Sequence, residues 1–316
     1  MSDKNTESSV KFKTSIGGQA LIEGIMMLGP EKRAIVCRGS GEMVEKVETV
    51  TPLKEKSPIL GWPLIRGVAA FISSMVNGVK ALSYSADQLP EDMQEEPDKI
   101  DLWIEKHFSN ETAQKLVIGV AVVLGIALSL FLFLFLPTFI VGLFPAVKSD
   151  FYWRTLLEGI LKLVIFFIYL ILCSKMKDMK RLFSYHGAEH KTIFCYEAEL
   201  PLTVENVRKQ SRLHPRCGTS FLILVLIVGI VISMFIRIDN LALRMIVKLC
   251  TFPIVIGVGY ELIKLAGRRD NWLTRAISAP GKALQRITTR EPDDGMIECA
   301  IEAMKLVIPA DGSDKW

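Results

Sequence analysis

From Leu116 to Val147 the chain carries no charged residue, a run of 32 positions, and no other feature restricts its fold as much. About 20 apolar residues carry a helix across a hydrocarbon core, so at least one segment is predicted to span a membrane. Its far end is placed near Leu136, because Pro137 and Pro145 would break a continuing helix and leave a short re-entrant or interfacial turn. Three more apolar segments follow, from about Thr155 to Cys173, from just after Cys217 to Ile236, and from roughly Leu241 to Leu265. Glu158 and Lys162 interrupt the second, and Lys248, Glu261 and Lys264 the fourth. Glu158, Lys162 and Lys248 fall in the same half of the bilayer and are expected to pair inside the bundle. The expected fold class is an α-helical polytopic membrane protein of about four transmembrane helices, with a small strand-containing N-terminal cytoplasmic module and a helical C-terminal tail.

Loop charge sets the orientation. Nine Lys and Arg residues between Lys175 and Arg216, and six more between Arg268 and Arg290, predict that both segments are cytoplasmic, with both termini inside a bacterial plasma membrane. The net charge of +4 is then topological. Basic residues that flank spans, without interleaved aromatics, argue against nucleic-acid binding. Met1 to Ser15 is polar and holds no secretory signal. Six scattered cysteines form no disulfide framework, so Cys195 and Cys217 are expected to be reduced.

Composition divides the chain into a disordered N-terminus (1–15), a small strand-rich module (16–58), an amphipathic helix (59–86), an acidic linker with a short helix (87–115), a membrane domain (116–267) with a cytoplasmic loop at 174–220, and a C-terminal segment (268–316). Within the module, Ala34–Arg38 and Glu42–Val50 flank Gly39-Ser40-Gly41 as arms of a hairpin. Leu64, Val68, Phe71, Met75, Val79 and Leu82 recur at helical spacing after Pro63, and this helix either lies in the membrane face or packs on the module's core. Near the C-terminus, Pro292-Asp293-Asp294 opens a helix whose stripe of Met296, Ile297, Ala300, Ile301 and Met304 reads as a core or docking face.

Chemistry is expected in the loop at 174–220. Three of the four histidines fall within 29 residues there, as His186-Gly-Ala-Glu189-His190 and His214-Pro-Arg-Cys217. With 4 His and 21 Glu in 316 residues, chance would produce HxxEH about 0.003 times per chain, which argues against coincidence. On a helix, positions i and i+4 share a face, so His186 and His190 can offer two imidazoles to one divalent cation, zinc above all, with Glu189 beside them to activate water. His214 and Cys217 compete for the third ligand position, with Glu261 behind them as a ligand or a carboxylate partner of a ligating histidine. The alternative is an exposed helix face with Glu189 in an ordinary ion pair.

The stretch Gly17-Gly-Gln-Ala-Leu-Ile-Glu23-Gly-Ile-Met-Met-Leu-Gly-Pro30, together with YHGAEHK, HPRCGTS and Pro280-Gly-Lys-Ala-Leu-Gln-Arg-Ile-Thr-Thr-Arg-Glu-Pro292, resembles the YqhQ-like membrane proteins. This is a domain-of-unknown-function family (1385) described as predicted metal-dependent enzymes. The resemblance adds Gln19 and Glu23 to the candidate site, Glu23 as a catalytic residue. Read from the residues alone, Gly17-Gly18 is a turn and Glu23 a surface side chain. Leu28 departs from the family, whose relatives resemble Met-Met-Arg-Gly-Pro there, and no role for that arginine carries over.

Two functions are therefore expected to compete. One is a metal-dependent hydrolase acting at the cytoplasmic membrane face on a membrane-near substrate, with the lipid bilayer and a second copy of the chain as partners. The other is a non-catalytic scaffold or regulator whose loop is ordered by a structural metal.

Overall fold

A computed structural model describes residues 10–39, 42–89, 110–144, 150–268 and 271–315. The expected disordered N-terminus up to residue 9, the hairpin tip at 40–41, the acidic linker across 90–109, the turn at 145–149 and the basic position 269 lie outside the described residues. The chain divides into two compact units, one made of 1–90, 170–229 and 251–316, the other of 91–169 and 230–250.

The first unit is organised around an antiparallel meander of β1 (Gly17–Leu21), β2 (Gly24–Leu28), β3 (Lys32–Arg38) and β4 (Met43–Thr49), in that order. The expected hairpin is β3 and β4, which pair from Lys32 with Thr49 to Arg38 with Met43. Gly17-Gly18 begins β1 instead of turning. A Cβ on Gly18 would lie 2.8 Å from the Met26 carbonyl oxygen and 3.0 Å from the Glu189 carboxyl carbon, so this glycine permits close approach, not a turn.

Alternation along the strands sends their apolar residues to two cores. On one face Ile25, Met27, Ala34 and Val36 meet Tyr185 and Ala188 of the HxxEH helix and the C-terminal stripe of Met296, Ile297, Ala300, Ile301 and Met304. On the other, Leu21, Met26, Ile35 and Cys37 meet Ala81. Each fully buried Leu, Ile or Met side chain contributes about 1.5–3 kcal/mol relative to exposure, so the sheet is clamped from both sides.

Helix α1 (Ile65–Asp87) carries Ala81. Its later turns cover the sheet, while at Gly67 it approaches Tyr260 and Gly257; Ile72, Met75 and Val76 remain exposed. Of the two alternatives for this helix, its later turns follow the core-packing one.

Helix α2 runs from Asn110 to Leu130, widens through a π turn at Phe131–Phe135 and continues over Leu136–Gly142. Pro137 was expected to end it. The π turn just ahead absorbs the hydrogen bond that proline cannot make, and the helix passes through. Helix α3 (Phe151–Cys173) follows, then α4 (Lys177–Glu197), α5 (Gly218–Ser233), α6 (Leu241–Cys250), α7 (Phe252–Arg268), α8 (Trp272–Thr288) and α9 (Asp294–Lys305). Asp293 caps α9 by accepting from the Met296 N–H at 2.9 Å.

Two helices are long and apolar enough to cross a membrane, Leu116–Gly142 and Phe151–Cys173, and α6 with α7 makes a third if that broken pair counts as one span. Of the expected four spans, two or three meet that length and composition. Pro253 opens α7 just after the break, and Gly218–Ser233 has only 16 residues. In the second unit Glu158 meets Lys248 as expected, with Nζ at 2.6 Å, and Arg244 adds a second cation at 3.0 Å.

Candidate metal centre

The central turns of α4 are buried almost all round, from Tyr185 to Cys195, although the sequence there is polar. Polar residues are buried at this density only when they have partners. Gly187 explains how the helix enters so crowded a place: any Cβ there would collide with the Arg290 carbonyl, which passes against the helix backbone.

His186 and His190 share one face of α4, with ring centroids 4.4 Å apart. The Nδ1 of His186 lies 2.9 Å from the Thr288 carbonyl and that of His190 lies 2.6 Å from the Arg212 carbonyl. A carbonyl can only accept, so both Nδ1 atoms carry a hydrogen, and each Nε2 presents a lone pair whenever its ring is neutral. The Nε2 of His186 lies 3.1 Å from Cys217 Sγ, and the Nε2 of His190 is buried with no partner. One ligand atom from each of His186, His190 and Cys217 lies within 4.8 Å of the others.

That donor set fits a zinc-like cation. Two neutral imidazoles and a thiolate are the ligands zinc favours, and the carbonyl-anchored tautomers are those metal-binding histidines adopt. The orphaned Nε2 of His190 is a buried polar atom that such an ion would satisfy.

Cys217 sits at the amino end of α5, where the Thr219 N–H reaches its sulfur at 3.4 Å. Burial pushes its thiol upward, but the neighbouring His186 and His190 and the His186 hydrogen bond prevail and hold it well below 9. Burial likewise opposes a charged His186, yet the Cys217 sulfur brings that imidazole to about 9. Glu189 is buried beside them and accepts the Gly18 N–H at 3.0 Å. Burial raises its carboxyl above the ordinary range, outweighing the pull of the two histidines.

The remaining candidates lie elsewhere. His214 is turned away from the three, with Nε2 3.6 Å from Glu197 and its ring against Phe194, and burial holds it neutral with a pKa of about 4. Glu261 forms a two-pronged pair with Arg66 of α1, not with the histidines. Glu23 is buried in the β1–β2 turn at φ +48°, where Arg181 grips its carboxylate and the Tyr185 hydroxyl donates at 3.3 Å. It fastens the sheet to α4. The Gln19 amide packs beside Gly78.

Several residues that shape the centre had no sequence reading. Gln285 clasps the backbone of His214, accepting from its N–H and donating to its carbonyl, both at 2.7 Å. Lys191, buried, donates to the carbonyls of Arg208 and Gln210 at 2.9 and 2.8 Å and pairs with Glu291. The HPRC loop is thereby fixed against both α4 and α8. Gln285 and Thr288 lie inside the PGKALQRITTREP stretch, which marked the segment without naming their roles.

A sheet clamped between helices, apolar helices long enough to cross a membrane, and a buried His-His-Cys cluster define a mostly helical protein with a candidate metal centre. The chain belongs to the family described as "Protein of unknown function (DUF1385)", whose model matches residues 62–310. It is 35% identical over 303 residues to a Bacillus subtilis (strain 168) protein described as "Uncharacterized protein YqhQ", covering 95% of this chain and 94% of that one. No solved structure matches it.

Proposed function

We propose that the protein is a metal-dependent hydrolase at the cytoplasmic face of a bacterial plasma membrane, with both termini inside. The observation that carries this reading is the convergence of three ligand atoms whose donor hydrogens are already tied to main-chain carbonyls. A zinc-like cation bound there would act as a Lewis acid and make water nucleophilic near neutral pH.

His186, His190 and Cys217 would hold such an ion. The Gly18 N–H orients Glu189 through Oε1, which leaves Oε2 to take a proton from water. A raised carboxyl makes a better base near neutral pH. As the deprotonated water bonds to the acyl or phosphoryl centre and the leaving group's bond to that centre breaks, Glu189 returns the proton to the leaving group.

A second reading, a structural metal in a scaffold protein, draws on the burial of His190 and Cys217. Neither a cleft of about 780 Å³ nor one of about 200 Å³ nearby is lined by the three ligands.

Elemental analysis of the purified protein, beside His186→Ala, Cys217→Ser and Glu189→Gln, separates these readings. The expected result is about one divalent ion per chain, lost in the ligand variants and retained in Glu189→Gln. Absence of stoichiometric metal from the wild type would sink both readings. X-ray absorption showing four protein ligands would leave only the structural one.

A further inference from the structure

The stretch from Pro280 to Pro292 is only partly accounted for by the metal centre. Gln285 and Thr288 face the His loop, whereas Arg286 and Arg290 line the cleft of about 780 Å³. Lys180, Arg181 and Arg212 add three more cations to its wall, against Glu291 and Asp293.

Those charges are not equally committed. Arg181 is held by Glu23, Arg290 donates to the Ser174 carbonyl at 3.0 Å, and Arg212 is fixed by Thr289, whose hydroxyl oxygen accepts at 2.8 Å. Glu291 is shared between Lys191 and Arg212. Lys180 and Arg286 are exposed, and neither side chain has a hydrogen-bond or ion-pair partner among the described residues. The cleft thus presents two free cations and anchored guanidinium groups. Ile171, in the last turn of the apolar helix α3, lies in the same wall.

We infer that this cleft is a phosphate-binding site, suited to a phosphomonoester carried by a lipid headgroup or by a soluble molecule. Planar guanidinium groups bind phosphate oxygens through paired N–H donors, and a flexible lysine adds a point charge. A headgroup at the end of an apolar helix would keep its acyl chains in the hydrocarbon while its phosphate enters the cleft. The inference stands without the metal. Still, Arg212 serves both places, its carbonyl accepting from His190 and its guanidinium lining the cleft.

The test uses the full-length protein in phosphatidylcholine nanodiscs. One arm titrates inorganic phosphate; the other adds phosphatidic acid to the discs and counts retained lipid by native mass spectrometry. Removing a basic side chain near an anionic headgroup weakens binding about fivefold, so Lys180→Ala with Arg286→Ala is expected to lose about 25-fold. The charge-retaining pair Lys180→Arg with Arg286→Lys should keep most of the binding. Variant-sensitive binding in the first arm assigns a soluble ligand, and in the second alone a lipid. If neither ligand binds, or if the alanine pair binds as well as wild type, the inference is wrong. Metal content, measured in parallel, should not change in these variants, so failure here is distinguishable from failure of the hydrolase reading.

Discussion

Two buried polar clusters in this molecule solve the problem of burial in opposite ways. Around Glu158 a carboxylate meets Arg244 at 3.0 Å and Lys248 at 2.6 Å, so opposite charges close on one another. Around His186 the N–H groups are turned outward to carbonyls, and two imidazole lone pairs and a sulfur face a common point. The first arrangement neutralises its own charge, although Arg244 Nε and Nη1 are, like His190 Nε2, buried without a hydrogen-bond partner. The second sets acceptor against acceptor, which only a proton or a cation relieves. Buried polar content alone does not mark a binding site; the direction in which donors and acceptors point does.

The largest effect should come from breaking the closed cluster. Glu158→Leu leaves two buried cations without their carboxylate, and a loss of about 3–5 kcal/mol is expected in detergent unfolding. Combining it with Arg244→Leu and Lys248→Met should recover most of that loss. No recovery would mean the cluster does more than neutralise itself.

The open cluster predicts a ligand-dependent gain. With free zinc at a hundredfold excess over its dissociation constant, the wild type should be stabilised by about 2.7 kcal/mol, read as a rise in melting temperature. Cys217→Ser should show little of that rise. An equal response in both would remove the distinction between the clusters.

Gly187→Ala tests the packing behind the open cluster. Its methyl group must displace the Arg290 carbonyl, and overpacking of this kind costs about 1–3 kcal/mol. Zinc affinity should fall with it, because the same segment supplies the Thr288 carbonyl.

The smallest effect concerns pH. Burial alone would raise the Glu197 carboxyl, but the adjacent His214 ring, the Arg216 guanidinium and the Thr14 N–H lower it below 4.5. A carboxyl lowered on folding contributes stability that is complete above the unfolded value and is lost as pH falls through the folded one. Stability should therefore decline below about pH 4.5, and Glu197→Gln should flatten that decline in acid unfolding curves.

Local patterns in the sequence carried much of this structure. The hairpin of β3 and β4, the helix of α1 and the C-terminal stripe all follow from alternation or helical spacing over a few turns. HxxEH placed two candidate ligands on one helix face because i, i+4 geometry is local. What sequence left open was set by partners far away. That Cys217 and not His214 joins the two histidines turns on Glu197 and Gln285, which hold His214 aside. Glu261 is committed to Arg66, 195 positions earlier. The carbonyls that fix both imidazole tautomers belong to Thr288 and Arg212, and a backbone carbonyl leaves no trace in residue identity. The same holds for the span count, since the π turn ahead of Pro137 and the break before Pro253 depend on backbone geometry.

The bond from His186 to Thr288 joins positions 102 apart, and that from Gly18 to Glu189 joins positions 171 apart. On a ribosome adding about 5–20 residues per second, His186 waits about 5–20 s for the segment that orients it. Until then its ring has no fixed tautomer and the pocket cannot discriminate among ions. Assembly of the cluster is therefore coupled to the end of synthesis, and a nascent chain stalled before Thr288 should emerge without it.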